Sequence, residues 1–528
     1  MAVVKKTGGS PRHFRATVDV MESRRLLSTI YADVHNTTGI ENGTAAHPYH
    51  LIQTAIESAA PSGDTIKVAA GTYAEALVVD HSVTILGPNA NVNPNTQTRS
   101  AEAIIVPPVD GPNYAVNILV ESSDVTINGL TVDGHNAALT GGTVLNGVSV
   151  NAKSGVSNVD PSGNQSAINK LTVLDDILEN FTGFGVIGDS NPYTGAPVIS
   201  TGNVISNNKI DNVPVVDVAP IGTSLQGRGI SIEDDFYASI TNNVITRCAT
   251  GIQTIFELDV NGSASTTTIS NNSVQAYDRG ILAYTVDTNT AALTISNNTI
   301  TTATGSTATS VGLDLNRILS STTATVTGNS VSTFNVGIQL AESSTTSTIK
   351  ITNGYLYTNA IGVRLTNANT DVTKPNTTQL PVAATLTNVK IFDNSLAGVN
   401  VVDANNSLST PATLTIDTGT AAWNSPHGAS LSGLGAAIAE TANPTATFTS
   451  TPSSQTTSTS ATFTFALTDP ISTLNDINVQ YTLDGGSAQY AESPINLTNL
   501  ATGKHTLVLT ATDQAGKVVK IQYTWTIS

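Results

Sequence analysis

The sequence predicts an all-β chain wound into a solenoid, and three observations carry that prediction. Turn marks recur at Thr241-Asn242-Asn243, Ser270-Asn271-Asn272, Ser296-Asn297-Asn298, Thr327-Gly328-Asn329 and Thr352-Asn353-Gly354. Each is followed by a glycine that starts an apolar run: Gly251-Ile252, Gly280-Ile281, Gly312-Leu313, Gly337-Ile338 and Gly362-Val363. The interval between the two marks is 8 residues in four repeats (243 to 251, 272 to 280, 329 to 337, 354 to 362) and 14 in the fifth (298 to 312). The runs between marks alternate with period two, as in Thr294-Ile295-Ser296 and Gly337-Ile338-Gln339-Leu340, and none has helical period. Short all-strand repeats with one residue type at one place per turn describe a stacked parallel solenoid. Asn fits the turns because it tolerates left-handed backbone geometry, and stacked amides can bond up a column.

This pattern resembles the Asn ladder of the single-stranded right-handed parallel β-helices of the pectin-lyase-like superfamily, over residues 31–440. The resemblance implies the fold; such folds host many activities, so function must come from a site.

The elements follow in order. Residues 1–30 are basic (Lys5, Lys6, Arg12, Arg15, Arg24, Arg25), without the apolar run of a secretory signal. Val20–Ser28 is similar to the Leu-Glu-x-Arg-x-Leu-Leu segment near the start of surface or secreted proteins of planctomycete-type bacteria, with Met21 in place of the leading Leu. That resemblance implies an export-type segment; a basic tail is the alternative. Residues 51–60 carry apolar residues at 51, 52, 55, 56 and 59, the spacing of a short capping helix, with Pro48 suited to its first turn. The helix would cover an otherwise unpaired sheet edge. Strands are expected at 65–68, 76–79 and 83–87, with a turn at 71–73. Further coils are expected at 125–127, 144–150, 168–178 and 204–210. Longer connections at 211–227 and 299–311 leave the same edge, just before a glycine-started strand. Residues 441–460, rich in Ser, Thr and Pro, read as a linker. Strands at 461–467, 477–483, 504–511 and 518–527 form a module. With Gly503, His505, Asp513, Gly516 and Trp525, it resembles a bacterial immunoglobulin-like module without the Cys pair.

Composition excludes some functions. The chain has 528 residues and a formal net charge of −17, which opposes nucleic-acid binding. It also opposes simple attraction to acidic polymers unless a cation bridges them. No apolar run reaches the length of a membrane span. Cys248 is the single cysteine, so no internal disulfide forms.

Candidate chemistry lies on the glycine-started strands. Alternation turns Ser231, Gln253, Leu282, Asp314, Gln339, Arg364 and Asn400 outward in one column. Glu233, Ile255, Tyr284, Asn316, Ala341, Thr366 and Val402 form a second. Such a polar strip suits a polysaccharide, with Gln253, Asn316, Gln339 and Arg364 as hydrogen-bonding groups and Tyr284 as a stacking ring; a solvated solenoid face is the competing reading. Asp235 and Glu257 both lie six residues after their glycine, and with Asp259 and Asp287 they form an acidic edge that would suit Ca²⁺; a solvated acidic edge is the alternative. Arg228 and Arg279 immediately precede a column glycine, two coils apart. Pectate-lyase-like enzymes use Ca²⁺ and an Arg to remove a uronate proton, so Arg228 and Arg279 are candidate catalytic groups for elimination, and Glu233 and Asp314 for hydrolysis. The Arg-x-Pro-x-x-Arg segment of pectate lyases is absent, as are the Asn-Thr-Asp, Gly-His-Gly and Arg-Ile-Lys set of polygalacturonases. The expectation is a secreted or cell-surface protein that binds, and as an enzyme cleaves, an extracellular polysaccharide. The alternative is a non-catalytic adhesive or scaffold protein.

Overall fold

The computed structural model describes residues 28–60, 62–109, 116–190, 199–214, 227–256, 265–285, 292–316, 323–341, 349–367, 382–404, 412–416, 421–423, 429–432, 436–440, 443–469, 477–513 and 517–528. Its main body is a right-handed parallel β-helix whose coils pass through three strand faces. One face is a parallel sheet of 14 described strands running from Thr29–Ala32 to Ala436–Glu440, here called the ladder sheet. The other two faces are paired continuously: a short-strand sheet containing Lys209–Val213 and Tyr355–Tyr357, and a glycine sheet containing Arg228–Glu233, Val311–Asn316, Val336–Ala341 and Ile361–Thr366. Strands Val244–Phe256 and Ser273–Thr285 run through both without a break.

The core is built of in-register apolar stacks. On the ladder sheet Val173, Ile205, Ile240, Ile269, Ile295, Val326 and Ile351 pair in succession. On the glycine sheet Ile252, Ile281, Leu313, Ile338 and Val363 do the same. All of them are buried in one cluster. A fully buried aliphatic side chain contributes about 1.5–3 kcal/mol, so the stacks are the main stabilising feature.

Each ladder turn needs two residues. The first takes positive φ: Asp175, Asn207, Asn242, Asn271, Asn297, Gly328 and Asn353 lie between 55° and 67°. The second points inward as a rung. Asn243 donates its backbone N–H to Oδ1 of Asn272 (2.9 Å) and its Nδ2 to the same oxygen (3.0 Å) and to the Ile205 carbonyl (2.9 Å). Asn208, Asn272 and Asn298 repeat this pattern. The next corner, which carries no sequence mark, also takes positive φ, at Asn180, Asn212, Arg247, Thr333, Thr358 and Asp393.

The glycines mark a place with no room for a side chain. A Cβ at Gly251 would lie 2.2 Å from Val274 Cγ1 and 2.6 Å from the Gly280 carbonyl oxygen. At Gly280 the same contacts, to Ile300 Cγ2 and the Gly312 oxygen, would be 2.2 and 2.3 Å. The column extends further than the sequence marks, through Gly155, Gly185 and Gly229.

Several local expectations are corrected. The capping helix is shorter, Ile52–Ser58, and Pro48 precedes it. Both oxygens of Glu75 cap its first turn by accepting the N–H groups of Ile52 and Gln53, each at 2.9 Å. Gly71–Ala74 is a strand, not a turn. Residues 144–150 are not a coil: Thr143–Leu145 and Val148–Val150 form an antiparallel hairpin. Its tip reaches the solenoid through Asn146 Nδ2, which donates to Asn212 Oδ1 at 2.7 Å.

The C-terminal strands have their own core of Phe463, Leu507, Leu509, Trp525 and Ile527. Part of the stretch read as linker belongs to this unit. Thr445–Ser450 pairs antiparallel with Ala461–Thr468, and Gln455–Thr456 pairs parallel with Val518–Ile527. His505 is structural there: its ring nitrogens contact Asp484 Oδ2 (2.8 Å) and the Ala501 carbonyl (2.7 Å). No helix among the described residues is long and apolar enough to cross a membrane.

Candidate functional site

The glycine sheet aligns the expected columns as the alternation required. Ser231, Gln253, Leu282, Asp314, Gln339, Arg364 and Asn400 occupy consecutive rungs. Glu233, Ile255, Tyr284, Asn316, Ala341, Thr366 and Val402 occupy the rungs of the second column. Arg228, Thr250 and Arg279 likewise stack, so the two arginines are two coils apart, or about 10 Å at ~4.8 Å per coil.

Exposure departs from the expectation. The middle of the strip is covered: Gln253 is 2 % exposed, Asp314 3 %, Asn316 and Gln339 5 %, and Tyr284 8 %. Tyr284 therefore offers no open face for stacking a sugar. Alternation tells which side points away from the core, not what lies over it. The groups that remain partly accessible are Lys153, Phe184, Arg228, Glu233, Ile255, Arg279, Leu282, Arg364, Asn400 and Val402.

Two hydrogen-bonded clusters organise these groups. In the first, Arg228 Nε donates to Gln253 Oε1 (2.7 Å). Gln253 Nε2 donates to Ser231 Oγ (3.1 Å) and Glu233 Oε1 (3.2 Å), and Ser231 donates to the same Glu233 oxygen (2.7 Å). Phe184 lies between two cations, with Arg228 Cζ 5.4 Å and Lys153 Nζ 5.8 Å from its ring centroid. Burial holds the Arg228 guanidinium below its ordinary pKa, with Glu233 opposing. Asp189 pairs in register with Glu233 on the neighbouring coil, so their backbones lie about 5 Å apart.

In the second cluster Arg279 bridges two acids, through Nε to Asp314 Oδ2 (2.8 Å) and Nη1 to Asp278 Oδ1 (2.7 Å). The expected insertion at 299–311 completes it: Thr307 donates to Asp278 Oδ1 (3.0 Å), and the Thr309 carbonyl accepts from Arg279 Nη1 (3.3 Å). Gln339 Nε2 donates to Asp314 Oδ1 (3.2 Å). Burial raises the Asp314 pKa, against the lowering effect of Arg279. Asp314 and Glu233 lie three coils apart, about 14 Å, too far to act as a pair on one glycosidic bond, which needs at most about 9.5 Å.

The acidic edge is only partly described. Asp235 is buried and accepts from the Tyr237 hydroxyl (3.0 Å). Glu257, Asp259 and Asp287 lie outside the described residues. Among the described residues no group of three or more His, Cys, Asp or Glu side chains is placed to hold a metal ion. Lys153, Phe184 and Asp189 were not marked by sequence reasoning. Extending the glycine column back to Gly185 and Gly155 finds the coils that carry them.

Residues 36–293 match the family described as a protein of unknown function, DUF1565. No curated protein matches the chain. Among solved structures, a variant of DFA-IIIase from Arthrobacter chlorophenolicus A6 is 13% identical over 78% of this chain and 99% of its own, with a TM-score of 0.42. The same enzyme in complex with GF2 is 14% identical over 75% of this chain and 96% of its own, with a TM-score of 0.41. A GH136 lacto-N-biosidase from Eubacterium ramulus is 9% identical over 78% of this chain and 68% of its own, with a TM-score of 0.34. Likeness at this level carries nothing about what this chain does.

Proposed function

We propose that the protein is an exported β-helix that binds an extracellular polysaccharide along the glycine sheet and cleaves it beside Arg228 and Glu233. The observation that supports this reading is the row of partly accessible polar groups that the glycine sheet sets along the axis, Lys153, Arg228, Glu233, Arg279, Arg364 and Asn400, with Phe184 among them. A linear polymer lying along the axis meets these groups at multiples of about 5 Å. The accessible arginines and Asn400 supply donors, and the half-exposed Phe184 takes the stacking role first assigned to Tyr284. The C-terminal unit serves as an immunoglobulin-like spacer in this reading.

Two chemistries fit the first cluster. Elimination would use Arg228, whose desolvation lowers its pKa in the direction that accepting a proton requires. Arg279 is clamped between Asp278 and Asp314 and serves better as a fixed positive charge. Ca²⁺ bound at Asp235 with Glu257, Asp259 and Asp287 would supply the charge that acidifies the uronate. Hydrolysis would instead use Glu233 with Asp189, the carboxylate in register with it on the neighbouring coil.

Incubation with uronate and neutral polysaccharides, with Ca²⁺ and with chelator, separates these routes. Elimination creates an unsaturated uronate absorbing in the near ultraviolet, and hydrolysis creates only reducing ends. Arg228→Met should abolish the first and Glu233→Gln the second, each by about 100-fold or more. If neither product forms, the chain is the non-catalytic scaffold that the covered middle of the strip favours.

A further inference from the structure

The glycine face carries two cations, Lys153 and Arg228, around the Phe184 ring. Among the described residues neither Lys153 nor Arg228 forms an ion pair. Arg228 bonds to a neutral amide, Gln253. The nearby carboxylate, Glu233, is bonded by Ser231 and Gln253 and acts on both cations only through space. Burial lowers the pKa of both, and Arg228 adds to the lowering at Lys153. Two partly desolvated cations about 10 Å apart are costly to hold without a counter-ion. In a chain of net charge −17, these cations have no ion-pair partner among the described residues. Beside Lys153 and Phe184 lies a cavity of about 30 Å³, also lined by Ser154, Ser157, Ile187 and Asp160, whose carboxylate is held by the Asn164 N–H and Nδ2 (both 2.8 Å). That is more than a single water needs, about 10–15 Å³ on the same measure. Five coils further along the axis, Arg364 is partly exposed, and its Nε is buried without a hydrogen-bond partner.

We infer that Lys153 and Arg228, set on either side of Phe184, form an oxyanion subsite that takes the carboxylate, sulfate or phosphate group of an acidic glycan, with Arg364 as a second contact further along the same polymer. Phe184 holds the two cations apart and presents an apolar edge to the sugar ring, while the cations supply charge-assisted hydrogen bonds to the anionic group. The inference rests on the polysaccharide reading of this face and narrows its substrate to anionic polymers.

The test is a titration of the full-length protein with three oligosaccharides of equal length: an oligogalacturonate, a sulfated galactan and a neutral galactan. Free galacturonate, sulfate and phosphate are titrated beside them, followed by melting temperature. At least one anionic oligomer should bind more tightly than the neutral one and weaken as salt rises. Lys153→Met and Arg228→Met should each weaken it by about tenfold or more, and Arg364→Met less. Lys153→Met keeps the aliphatic stem over Phe184, so its melting temperature without ligand should stay near that of the wild type. If oligomers fail to bind but a free oxyanion raises the melting temperature through Lys153, the subsite stands and the polysaccharide reading falls. If charged and neutral oligomers bind equally, or the Met variants bind like the wild type, the subsite is overturned while the polysaccharide reading survives. If neither oligomers nor free anions bind, both fall.

Discussion

Asp176→Asn is expected to stabilise the protein and to flatten the dependence of its stability on pH. Asp176 occupies a rung of the Asn ladder. Its backbone N–H donates to Asn208 Oδ1 (2.9 Å), and its Oδ1 accepts from the Leu130 N–H (2.7 Å). It is 0 % exposed, and Oδ2 has no hydrogen-bond partner. In the next rung, Nδ2 of Asn208 donates to the Val173 carbonyl (2.9 Å), and the residue one coil below Val173 is Ile127. An Asn at 176 would bring an N–H toward that carbonyl. The native carboxyl can do the same only with a proton on it, and burial pushes its pKa up to about 8, against the lowering effects of the Leu130 N–H and Arg99.

The sign follows from the direction of the shift. A carboxyl with a raised folded pKa contributes most below its unfolded value of 3.8, and that contribution is lost as pH rises toward about 8. At about 1.4 kcal/mol per unit the loss is on the order of 4 kcal/mol at neutral pH. Denaturant melts should show the Asn variant gaining about 2–4 kcal/mol near pH 7, with the difference vanishing near pH 4. Equal stabilities at both pH values would mean that Asp176 is solvated or paired in solution.

The opposite substitution should be the more damaging. Asn272→Ala removes the oxygen that accepts both the N–H and Nδ2 of Asn243, and the donor that reaches the Ile240 carbonyl. Asn243 Nδ2 keeps its bond to the Ile205 carbonyl, and Asn298 keeps the backbone N–H of residue 272. The uncompensated group is the Asn243 N–H, in the interior, and the Ile240 carbonyl loses its bond from the Asn272 side chain. At about 1–3 kcal/mol each, with a small cavity added, the loss should reach about 3–5 kcal/mol. Asn353→Ala should cost far less, because Asn353 is a positive-φ turn residue and not a rung. Comparable losses in the two variants would show that turn conformation, not the buried amide column, holds the coils.

These residues also show how much was legible in the sequence. The ladder and the glycine column were readable because each depends on a residue type that few others replace: Asn for a buried amide, Gly for a space that a Cβ would overfill. Once the glycines were aligned, period-two alternation placed Gln253 beside Leu282 and Asp314 beside Gln339. Asp176 hid one coil. With Asp in the rung and nine residues to Gly185 instead of eight, the coil expected at 168–178 was not joined to the glycine column, which left out Phe184 and Asp189 and, one coil earlier, Lys153 beside Gly155. The second corner left no mark, because Arg247, Thr333 and Asp393 share a backbone conformation and not a side-chain type. Residues 144–150 alternate in the same way in an antiparallel hairpin as in a solenoid coil. The cover over Gln253, Asp314 and Tyr284 was invisible because alternation reports direction alone.

The account stands or falls on whether the glycine sheet binds a polysaccharide. The most direct measurement is retention on a panel of immobilised polysaccharides for the wild type, for Arg228→Met combined with Arg364→Met, and for Tyr355→Ala, which alters an exposed ring on the short-strand sheet. The prediction is retention on at least one polysaccharide, lost in the double variant and kept in Tyr355→Ala. No retention on any polysaccharide, or retention lost in Tyr355→Ala and kept in the double variant, would contradict it.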